Sequence, residues 1–414
     1  MRTKECIAMI LAGGRGVRLG ALSHFHSKPV IHFGGNFRII DFTLNNCNNA
    51  EIDTIGILSQ HFTTDLHAYI GGINNGNYYM RPPENAEDPY MGTADAVYKN
   101  IEFIDCFMPD NVIILSGDHI YTMDYKKMIA FHEEMNADVT VASTSVPIDE
   151  ASRFGILNTD MCGRVSGFQE KPLVPKGDLA SMGIYVFKWN TLKKYLLEDN
   201  KCEQTQHDFG KDIIPGMLLS GESVYTYRFK GYWRDVGTVE ALWKANMDQI
   251  DEPGYRLPEI NHIMPYIDMN LNIIQKNQDV QQSIVFGDCA ISGKVEHSIL
   301  SDLVTVESGA EIVNSVIMPN AYIGNNVKIY NAVIGTGAII MDGTEIGTEY
   351  GVDFFVDLQV CSHGVSLVEP WLYVGEGINF LKNSHIYKGR LDKYEDIKAL
   401  MRKSINQYVP YEFN

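Results

Sequence analysis

Residues 6–19 read CIAMILAGGRGVRL, an apolar run that ends in a glycine-rich turn. The run Cys6–Ala12 has the composition of a buried strand. The glycines after it therefore fall at a strand-to-helix turn, where they let the backbone come close to a ligand and direct several N–H groups toward an anion. Arg15 and Arg18 add positive charge. Such a turn is a weak sign by itself, because many glycine-rich segments only reverse the chain.

Apolar runs continue to alternate with helical stretches as far as Trp243. The strand-like runs are Cys6–Ala12, Thr54–Leu58, Val112–Leu115, Val139–Thr144 and Gly183–Phe187. The stretches after Thr93 and Tyr125 carry apolar residues at helical spacing. This alternation predicts an α/β domain with a largely parallel sheet over residues 1–250.

The pattern changes after a predicted connector over residues 251–277. From Ser283 to Ile346 a small residue is followed by Ile or Val about every six residues, a spacing typical of a parallel β-helix. A sandwich of short antiparallel strands is the alternative, and the regular spacing disfavours it. We predict the β-helix over residues 278–390 and an amphipathic helix with a tail over 391–414. The apolar side of that helix packs either against the β-helix or against another subunit.

Length and composition restrict the class of protein. At 414 residues the chain exceeds what one hydrophobic core usually supports, which predicts two domains. The net charge of −18 disfavours nucleic acids and anionic membranes as partners. No apolar run approaches the roughly 20 residues that span a bilayer, and the amino terminus lacks the pattern of a signal peptide. The seven cysteines form no CxxC pair, which favours free thiols. These features predict a cytoplasmic enzyme with a small-molecule pocket.

Further motifs make the glycine-rich turn specific. Followed by Ser27-Lys28-Pro29, it resembles the signature of the sugar-1-phosphate nucleotidyltransferases. Residues 33–47, FGGNFRIIDFTLNNC, resemble the ADP-glucose-forming branch, the glucose-1-phosphate adenylyltransferase family. Five later stretches agree: Gly92-Thr-Ala-Asp-Ala-Val, Leu115-Ser-Gly-Asp-His-Ile-Tyr, Phe168-Gln-Glu-Lys-Pro, Ala180-Ser-Met-Gly-Ile-Tyr and Tyr232-Trp-Arg-Asp-Val-Gly-Thr.

The resemblance implies a fold, a reaction and partners. The expected fold is a Rossmann-like nucleotidyltransferase domain with a mostly parallel sheet, followed by a left-handed parallel β-helix of hexapeptide repeats. The expected reaction transfers AMP from ATP to α-D-glucose 1-phosphate, giving ADP-glucose for glycogen synthesis, with Mg²⁺ as cofactor. A homotetramer, or a hetero-oligomer with a homologous subunit, is expected as well.

Two aspartates are candidate metal ligands. Asp118 follows the apolar run Val112–Leu115 and so lies at the carboxyl-terminal edge of a buried strand, where open α/β sheets bind ligands. Asp235 lies far along the chain, and the resemblance places both on Mg²⁺, a hard ion that prefers oxygen ligands. Taken singly, Asp118 could be a helix N-cap and Asp235 a turn residue.

The resemblance assigns the remaining site residues as well. Glucose 1-phosphate is expected to contact Tyr90, Gly155, Glu170, Lys171 and Ser181, with Lys211 as a weaker candidate. Glu170 can accept hydrogen bonds from sugar hydroxyls, and Lys171 offers a compact charge for the phosphate.

The nucleotide is expected at the glycine-rich turn. Its predicted contacts are Gly13, Gly14, Arg15, Gly16, Lys28 and Gln60. Arg15, Lys28 and Asp118 are the predicted catalytic residues.

Two other functions are compatible with parts of the sequence, a regulatory subunit and an acyltransferase. A non-catalytic regulatory subunit would be expected to lack Arg15, Lys28, Asp118, Lys171 or Asp235, and all five are present. A hexapeptide acyltransferase would need a catalytic histidine such as His297, and the amino-terminal motifs would then have no purpose.

His24 and His26 stand where the family often carries cations that bind sugar-phosphate activators. Since histidine is mostly neutral at pH 7, only a weak anion site is expected there.

Overall fold

The computed structural model describes residues 6–24, 26–61, 63–73, 76–85, 87–252 and 279–406. The amino-terminal strands are β1 (Cys6–Leu11), β2 (His32–Phe33), β3 (Phe37–Arg38), β4 (Ile55–Leu58), β5 (Tyr78–Arg81), β6 (Asn111–Ser116), β7 (His119–Tyr121), β8 (Val139–Ser145), β9 (Gly155–Thr159), β10 (Val165–Glu170), β11 (Leu179–Lys188), β12 (Val224–Arg228) and β13 (Trp233–Asp235). The helices are α1 (Ile39–Asn49), α2 (Thr63–Ile73), α3 (Thr93–Tyr98), α4 (Ile101–Asp105), α5 (Tyr125–Glu134), α6 (Trp189–Asp199), α7 (Ile214–Leu219) and α8 (Val239–Asp251).

The centre of the amino-terminal sheet is parallel, in the order β6-β1-β4-β5. Its residues are apolar on both faces because helices cover both sides, and β1, β4 and β6 are almost fully buried. Leu11 pairs with both Leu58 and Ser116, so the loops after β1, β4 and β6 leave the sheet side by side.

The sheet continues beyond β6 through β11, which runs antiparallel to it. β11 pairs in turn with β8 and β9, and β12 and β10 extend the sheet from those two strands. The run Gly183–Phe187 was predicted as a strand. The alternation of apolar runs and helical stretches did not predict whether it runs parallel or antiparallel to its neighbours. The predicted α/β fold is confirmed.

The carboxyl-terminal domain consists of three parallel sheets. One sheet contains β14 (Val280–Gln281), β17 (Lys294–Glu296), β20 (Glu311–Val313), β23 (Lys328–Tyr330), β26 (Glu345–Thr348) and β29 (Asn379–Leu381). The second contains β15 (Ile284–Val285), β18 (Ile299–Leu300), β21 (Val316–Ile317), β24 (Ala332–Ile334), β27 (Ser366–Val368) and β30 (His385–Ile386). The third contains β16 (Ala290–Ile291), β19 (Thr305–Val306), β22 (Tyr322–Ile323), β25 (Ile339–Ile340) and β28 (Tyr373–Val374).

The coils of this domain stack in register, which explains the sequence repeat. Ile299 pairs with Val316, which pairs with Val333, so equivalent aliphatic residues lie on top of one another. Buried serines occupy one line of corners. The Ser298 hydroxyl donates to the Glu296 carbonyl at 2.8 Å and accepts from the Ser315 N–H at 3.0 Å, so a small polar residue links successive coils. The predicted parallel β-helix is confirmed.

The chain ends in helix α9 (Lys388–Asn406), which begins directly after the last coil. Tyr394 packs on Phe355 of the β-helix at a ring separation of 5.2 Å, and Leu391 contacts the same core. These contacts favour packing of the helix against its own β-helix. The predicted connector lies outside the described residues, apart from Asp251 and Glu252, so its limits stay a prediction. No helix in the described ranges is both long enough and apolar enough to cross a bilayer.

The β-helix lies directly against the amino-terminal domain and shares a hydrophobic core with it. Ile299, Val316 and Leu367 belong to the same buried cluster as Ile10 and Leu115. Polar contacts join the two parts at several points. The Trp243 indole donates to the Asn314 carbonyl at 2.6 Å, the Ser301 hydroxyl donates to the Gly35 carbonyl at 2.9 Å, and the Ala21 N–H donates to His385 Nε2 at 3.1 Å.

Gly35 gives a test of this contact. Its φ is +93°, and a Cβ there would lie 2.1 Å from the ring of Phe286. We therefore expect Gly35→Ala to lower the free energy of unfolding by about 2–4 kcal/mol, through overpacking and backbone strain. Thermal melting followed by circular dichroism measures the change.

Gly72→Ala is the matched control, because Gly72 is exposed in α2 and a Cβ there meets nothing within 4 Å. That variant should be neutral or slightly more stable, since Ala favours helix over Gly by about 1 kcal/mol. If Gly35→Ala melted like the control, Phe286 would not be packed on the turn as described.

Candidate active site

A cleft of about 610 Å³ opens at the carboxyl-terminal edge of the parallel strands. Gly13 and Gly14 after β1, Gln60 after β4 and Asp118 after β6 all line it. Because these strands are parallel and in register, three distant sequence segments meet at one edge of the sheet. This is the position at which open α/β sheets bind ligands.

The two predicted metal-ligating aspartates meet in this cleft. β7 and β13 form an antiparallel ribbon in which Asp235 lies opposite His119, and Asp118 immediately precedes β7. The Lys28 ammonium lies between the carboxylates, 2.8 Å from Asp118 Oδ2 and 3.3 Å from Asp235 Oδ1. The Lys28 side chain is 6% exposed, whereas Asp118 keeps 32% of its side chain open to the cleft.

The charges of this cluster depend on one another. Burial raises the pKa of the Asp118 carboxyl, but Lys28, His119 and a hydrogen bond from the Ser116 hydroxyl outweigh it, so the pKa lies below the usual range. Burial likewise opposes ionisation of Asp235, and the charge of Lys28 again lowers the pKa. Burial lowers the pKa of Lys28, and the two carboxylates reverse the effect and raise it. The two carboxylates and the ammonium are therefore all charged at neutral pH.

The donor atoms suit a divalent cation. One ligand atom from each of Asp118, His119 and Asp235 lies within 4.8 Å of the other two. Carboxylate oxygens are the ligands that hard cations prefer, and a cation is already in contact with both carboxylates here, in the form of the Lys28 ammonium. The residues present therefore fit a divalent metal.

Glu170 and Lys171 line the same cleft, at the end of β10. Two glycines leave room for the Glu170 carboxylate, since a Cβ at Gly210 would lie 2.6 Å from Glu170 Oε2 and one at Gly155 would lie 2.8 Å from it. Burial raises the pKa of Glu170. Lys171 Nζ lies 3.4 Å from Glu170 Oε1, and its side chain is 64% exposed. The pair thus offers a ligand a hydrogen-bond acceptor and an exposed cation.

Tyr90 and Ser181 are held by the protein's own hydrogen bonds. The Tyr90 hydroxyl donates to the Arg81 carbonyl at 2.8 Å and accepts from the Asn100 amide at 3.0 Å, and Tyr90 itself lines the cleft. Ser181 is 8% exposed and lies behind Gly183 and Tyr185, which do line the cleft. Gly155 acts on the cleft through the space it leaves for Glu170.

On the nucleotide side, Gln60 Oε1 accepts the Tyr90 N–H at 2.6 Å, and the amide nitrogen of Gln60 lies 3.4 Å from His61 Nε2. Arg15 lies on the exposed part of the turn, where its Nε–H donates to His61 Nε2 at 3.3 Å. Arg18 lines the cleft instead. Gly16 is turned away from the cleft with φ +62°, a left-handed conformation that favours glycine.

Residues that we did not single out from the sequence also build the cleft. Asp208 Oδ1 accepts the N–H groups of Gly210 and Lys211, and its other oxygen accepts the Thr93 hydroxyl at 2.9 Å. These bonds hold the segment of Lys211 against α3. The motif His207-Asp-Phe-Gly-Lys could have indicated the role of Asp208, because an Asp two residues before Gly often caps a turn. His119 was missed as well, although it follows Asp118 directly.

The two histidines before Lys28 each lie beside a carboxylate. His24 Nδ1 is 3.4 Å from Glu369 Oε1, and His26 Nδ1 is 3.3 Å from Asp65 Oδ2. Their side chains are 41% and 43% exposed, in agreement with their interpretation as surface residues. The neighbouring negative charges disfavour a phosphate at this place.

His297, the residue considered for acyl transfer, is bonded at both ring nitrogens. Its Nδ1 lies 2.7 Å from Asn314 Oδ1 and its Nε2 lies 2.6 Å from Asp251 Oδ1. It thus links the β-helix to the end of α8.

Comparisons with known proteins agree with this arrangement. The family model described as "Nucleotidyl transferase" matches residues 7–252, and the model "GlmU-like, C-terminal hexapeptide" matches residues 271–368. A glucose-1-phosphate adenylyltransferase of Acetivibrio thermocellus is 42% identical over 92% of this chain and 93% of its own length. Enzymes with the same name from Bacillus cytotoxicus and Bacillus mycoides are 43% and 46% identical, over 88% and 84% of this chain and 100% and 96% of their own lengths.

Proposed function

This chain belongs to the glucose-1-phosphate adenylyltransferase family, and we propose that it transfers AMP from ATP to α-D-glucose 1-phosphate, giving ADP-glucose and pyrophosphate. One observation carries the proposal. Asp118, Asp235 and Lys28 meet in a single cleft that Glu170 and Lys171 also line. ADP-glucose then serves as the glucosyl donor for glycogen.

The reaction brings negative charges together, which explains the basic residues. A phosphate oxygen of glucose 1-phosphate forms a bond to the α-phosphorus of ATP, and the bond from that phosphorus to the pyrophosphate oxygen breaks. Lys28 is placed to bind the ATP phosphates, with the N–H groups of Gly13 and Gly14 beside it. Arg15, at the rim, contacts the outer phosphates.

A divalent cation, Mg²⁺ in this proposal, is held by Asp118 and Asp235. When bound, it supplies positive charge to the reacting phosphates and orients them.

On the sugar side, Lys171 pairs with the phosphate of glucose 1-phosphate and Glu170 accepts a sugar hydroxyl. The ring of Tyr90 lines the pocket, Ser181 supports it from behind through its hydrogen bonds with Gly183 and Tyr185, and Gly155 leaves space for Glu170. Gln60 donates to the adenine edge through its amide nitrogen, whose second N–H can keep the contact with His61. A protein that kept this fold as a regulatory subunit would have no need of all these groups together.

Pyrophosphate release tests the function directly. The purified chain is assayed with each nucleoside triphosphate against each hexose 1-phosphate, and the mass of its assembly is measured in parallel. We expect ATP with glucose 1-phosphate to give the highest rate by at least about tenfold. Absence of ADP-glucose with this pair, with either Mg²⁺ or Mn²⁺, would contradict the proposal. A homotetramer is the assembly that we propose.

Lys171→Ala should separate the two substrates. We expect the KM for glucose 1-phosphate to rise about tenfold or more, because a charge-assisted contact to phosphate contributes about 1.5–3 kcal/mol. The KM for ATP should change less than about twofold, since only the sugar phosphate is proposed to touch this lysine.

Lys176→Ala is the control, because Lys176 is an exposed lysine a few residues further along the same loop that does not line the cleft. Both KM values of that variant should stay as in the wild type. Equal increases of both KM values in Lys171→Ala would mean that the lysine is structural or serves the nucleotide.

Sugar-phosphate activation is expected to be weak. Near pH 7.5, fructose 1,6-bisphosphate should change the rate less than about twofold, because histidines stand here in place of permanent cations and lie beside Glu369 and Asp65. Any activation should increase toward pH 6 once the basal pH dependence is subtracted. Strong activation at pH 7.5 that persists in the double variant His24→Ala, His26→Ala would place the activator elsewhere.

A further inference from the structure

His119 is the residue of the carboxylate cluster to which the proposed reaction gives no role. It lies opposite Asp235 in the ribbon of β7 and β13 and follows Asp118 directly. Two side chains on one face of an antiparallel pair lie close together, so the register itself brings His119 to the carboxylates. Its ring is fixed against Trp233 at a centroid separation of 5.3 Å and an interplanar angle of 84°.

The ring nitrogens of His119 have no hydrogen bond among the residues that the structure describes. Nε2 lies 3.5 Å from Asp118 Oδ1 and 4.0 Å from Asp235 Oδ1, which is too long for a well-formed hydrogen bond. Nδ1 is buried without a partner in the same described part of the chain. The side chain is 14% exposed. Of the two ring nitrogens, Nε2 is the one that faces the carboxylates, and neither carboxylate oxygen lies closer to it than 3.5 Å.

Lys28, rather than His119, is the cation in closest contact with the two carboxylates. Lys28 already contacts both carboxylates, at 2.8 and 3.3 Å, and is nearer to each of them than His119 is. The imidazole of His119 differs from Lys28 in that its ring nitrogen can offer a lone pair to a metal. In an octahedral shell with ligands at about 2.1–2.3 Å, neighbouring ligand atoms lie about 3.0–3.3 Å apart and opposite ones about 4.2–4.6 Å apart. The distances of 3.5 and 4.0 Å from His119 Nε2 to the two carboxylate oxygens lie between these two spacings, so side-chain movements of less than about 1 Å on binding a cation would complete the shell.

We propose that His119 Nε2 is a nitrogen ligand of the divalent cation held by Asp118 and Asp235. The site then has one imidazole nitrogen and two carboxylate groups. Nitrogen ligands favour transition metals over Mg²⁺, so Mn²⁺ and Co²⁺ gain more from His119 than Mg²⁺ does. This inference rests on the proposed function, because that function places the cation between the two aspartates.

Electron spin echo envelope modulation of bound Mn²⁺ tests the proposal without turnover. The full chain is loaded with Mn²⁺ and inorganic tripolyphosphate, an anion for Lys28 that contains no nitrogen. We expect ¹⁴N modulation in the wild type and its loss in His119→Gln. His132→Gln is the control, because His132 is a buried histidine outside the cleft that hydrogen-bonds Thr140. That variant should keep the modulation.

Affinity gives a second readout. Titration of the same complexes should show that His119→Gln weakens Mn²⁺ binding about tenfold and Mg²⁺ binding less. Bound Mn²⁺ without ¹⁴N modulation in the wild type, modulation that persists in His119→Gln, or failure of Mn²⁺ to bind the wild type would each overturn the proposal. Failure of the proposed function would show differently, as absence of ADP-glucose from the wild-type enzyme.

Discussion

Asp118→Asn is expected to lower turnover at least about a hundredfold while the fold is retained, because the change removes a negative ligand of the cation and preserves the shape of the side chain. The Lys28 ammonium would also lose its shortest ion pair, since the 2.8 Å contact is with Asp118. Steady-state pyrophosphate release at saturating substrates and Mg²⁺ measures the effect.

Asp110→Asn is the matched control, because Asp110 is exposed at the opposite end of the same strand. Its turnover should equal that of the wild type. Circular dichroism spectra and melting temperatures of the two variants show whether the fold is kept. Retained turnover in Asp118→Asn at saturating Mg²⁺ would remove Asp118 from the metal site.

Lys28→Gln should have two opposite effects. Turnover is expected to fall at least about a hundredfold, since a buried cation on the ATP phosphates is lost. Mn²⁺ affinity without any phosphate ligand is expected to rise about tenfold or more. In the wild type a metal has to displace the Lys28 ammonium from Asp118 and Asp235, and the displaced charge stays in a site that is nearly closed to solvent.

Mn²⁺ titration followed by electron paramagnetic resonance measures this affinity, with and without tripolyphosphate. In the wild type tripolyphosphate should strengthen Mn²⁺ binding, because it offers Lys28 another partner. In Lys28→Gln that increase should be much smaller. Lys126→Gln, which removes a surface ion pair with Glu51, is the control and should bind Mn²⁺ like the wild type. Unchanged Mn²⁺ affinity in Lys28→Gln would show that lysine and metal do not compete.

Much of the fold could be predicted because its signals are local. The strands at Cys6–Leu11 and Asn111–Ser116 are apolar runs, and the coils of the β-helix repeat their aliphatic residues at a short interval. The direction of β11 could not be predicted, since an apolar run pairs equally well in either direction. The shared core also escaped prediction, because Ile299 and Ile10 are linked only by tertiary packing.

The residues of the candidate site could be predicted where they belong to a sequence motif. They could not be predicted where their role depends on which side chains the fold brings together. Asp118 and Asp235 were expected as a pair, and the structure places them about one ammonium group, which no sequence pattern shows. Arg15 and Arg18 are equivalent as charges in the sequence, yet only Arg18 lines the cleft among the residues described. His119 lies inside a quoted motif, but its register opposite Asp235 becomes visible only once the ribbon is folded.

The common core of the two domains has a consequence for synthesis on the ribosome. The apolar surface at Phe37 and Gly35, against which Phe286 packs, cannot be covered until the β-helix has been translated. At about 5–20 residues per second, the nascent amino-terminal domain waits on the order of ten seconds or more for those coils. During that interval it exposes a hydrophobic surface of the kind that chaperones bind. The amino-terminal domain therefore cannot finish folding during translation until the β-helix has been made. Aggregation should be most severe for truncated chains that end before the last coils.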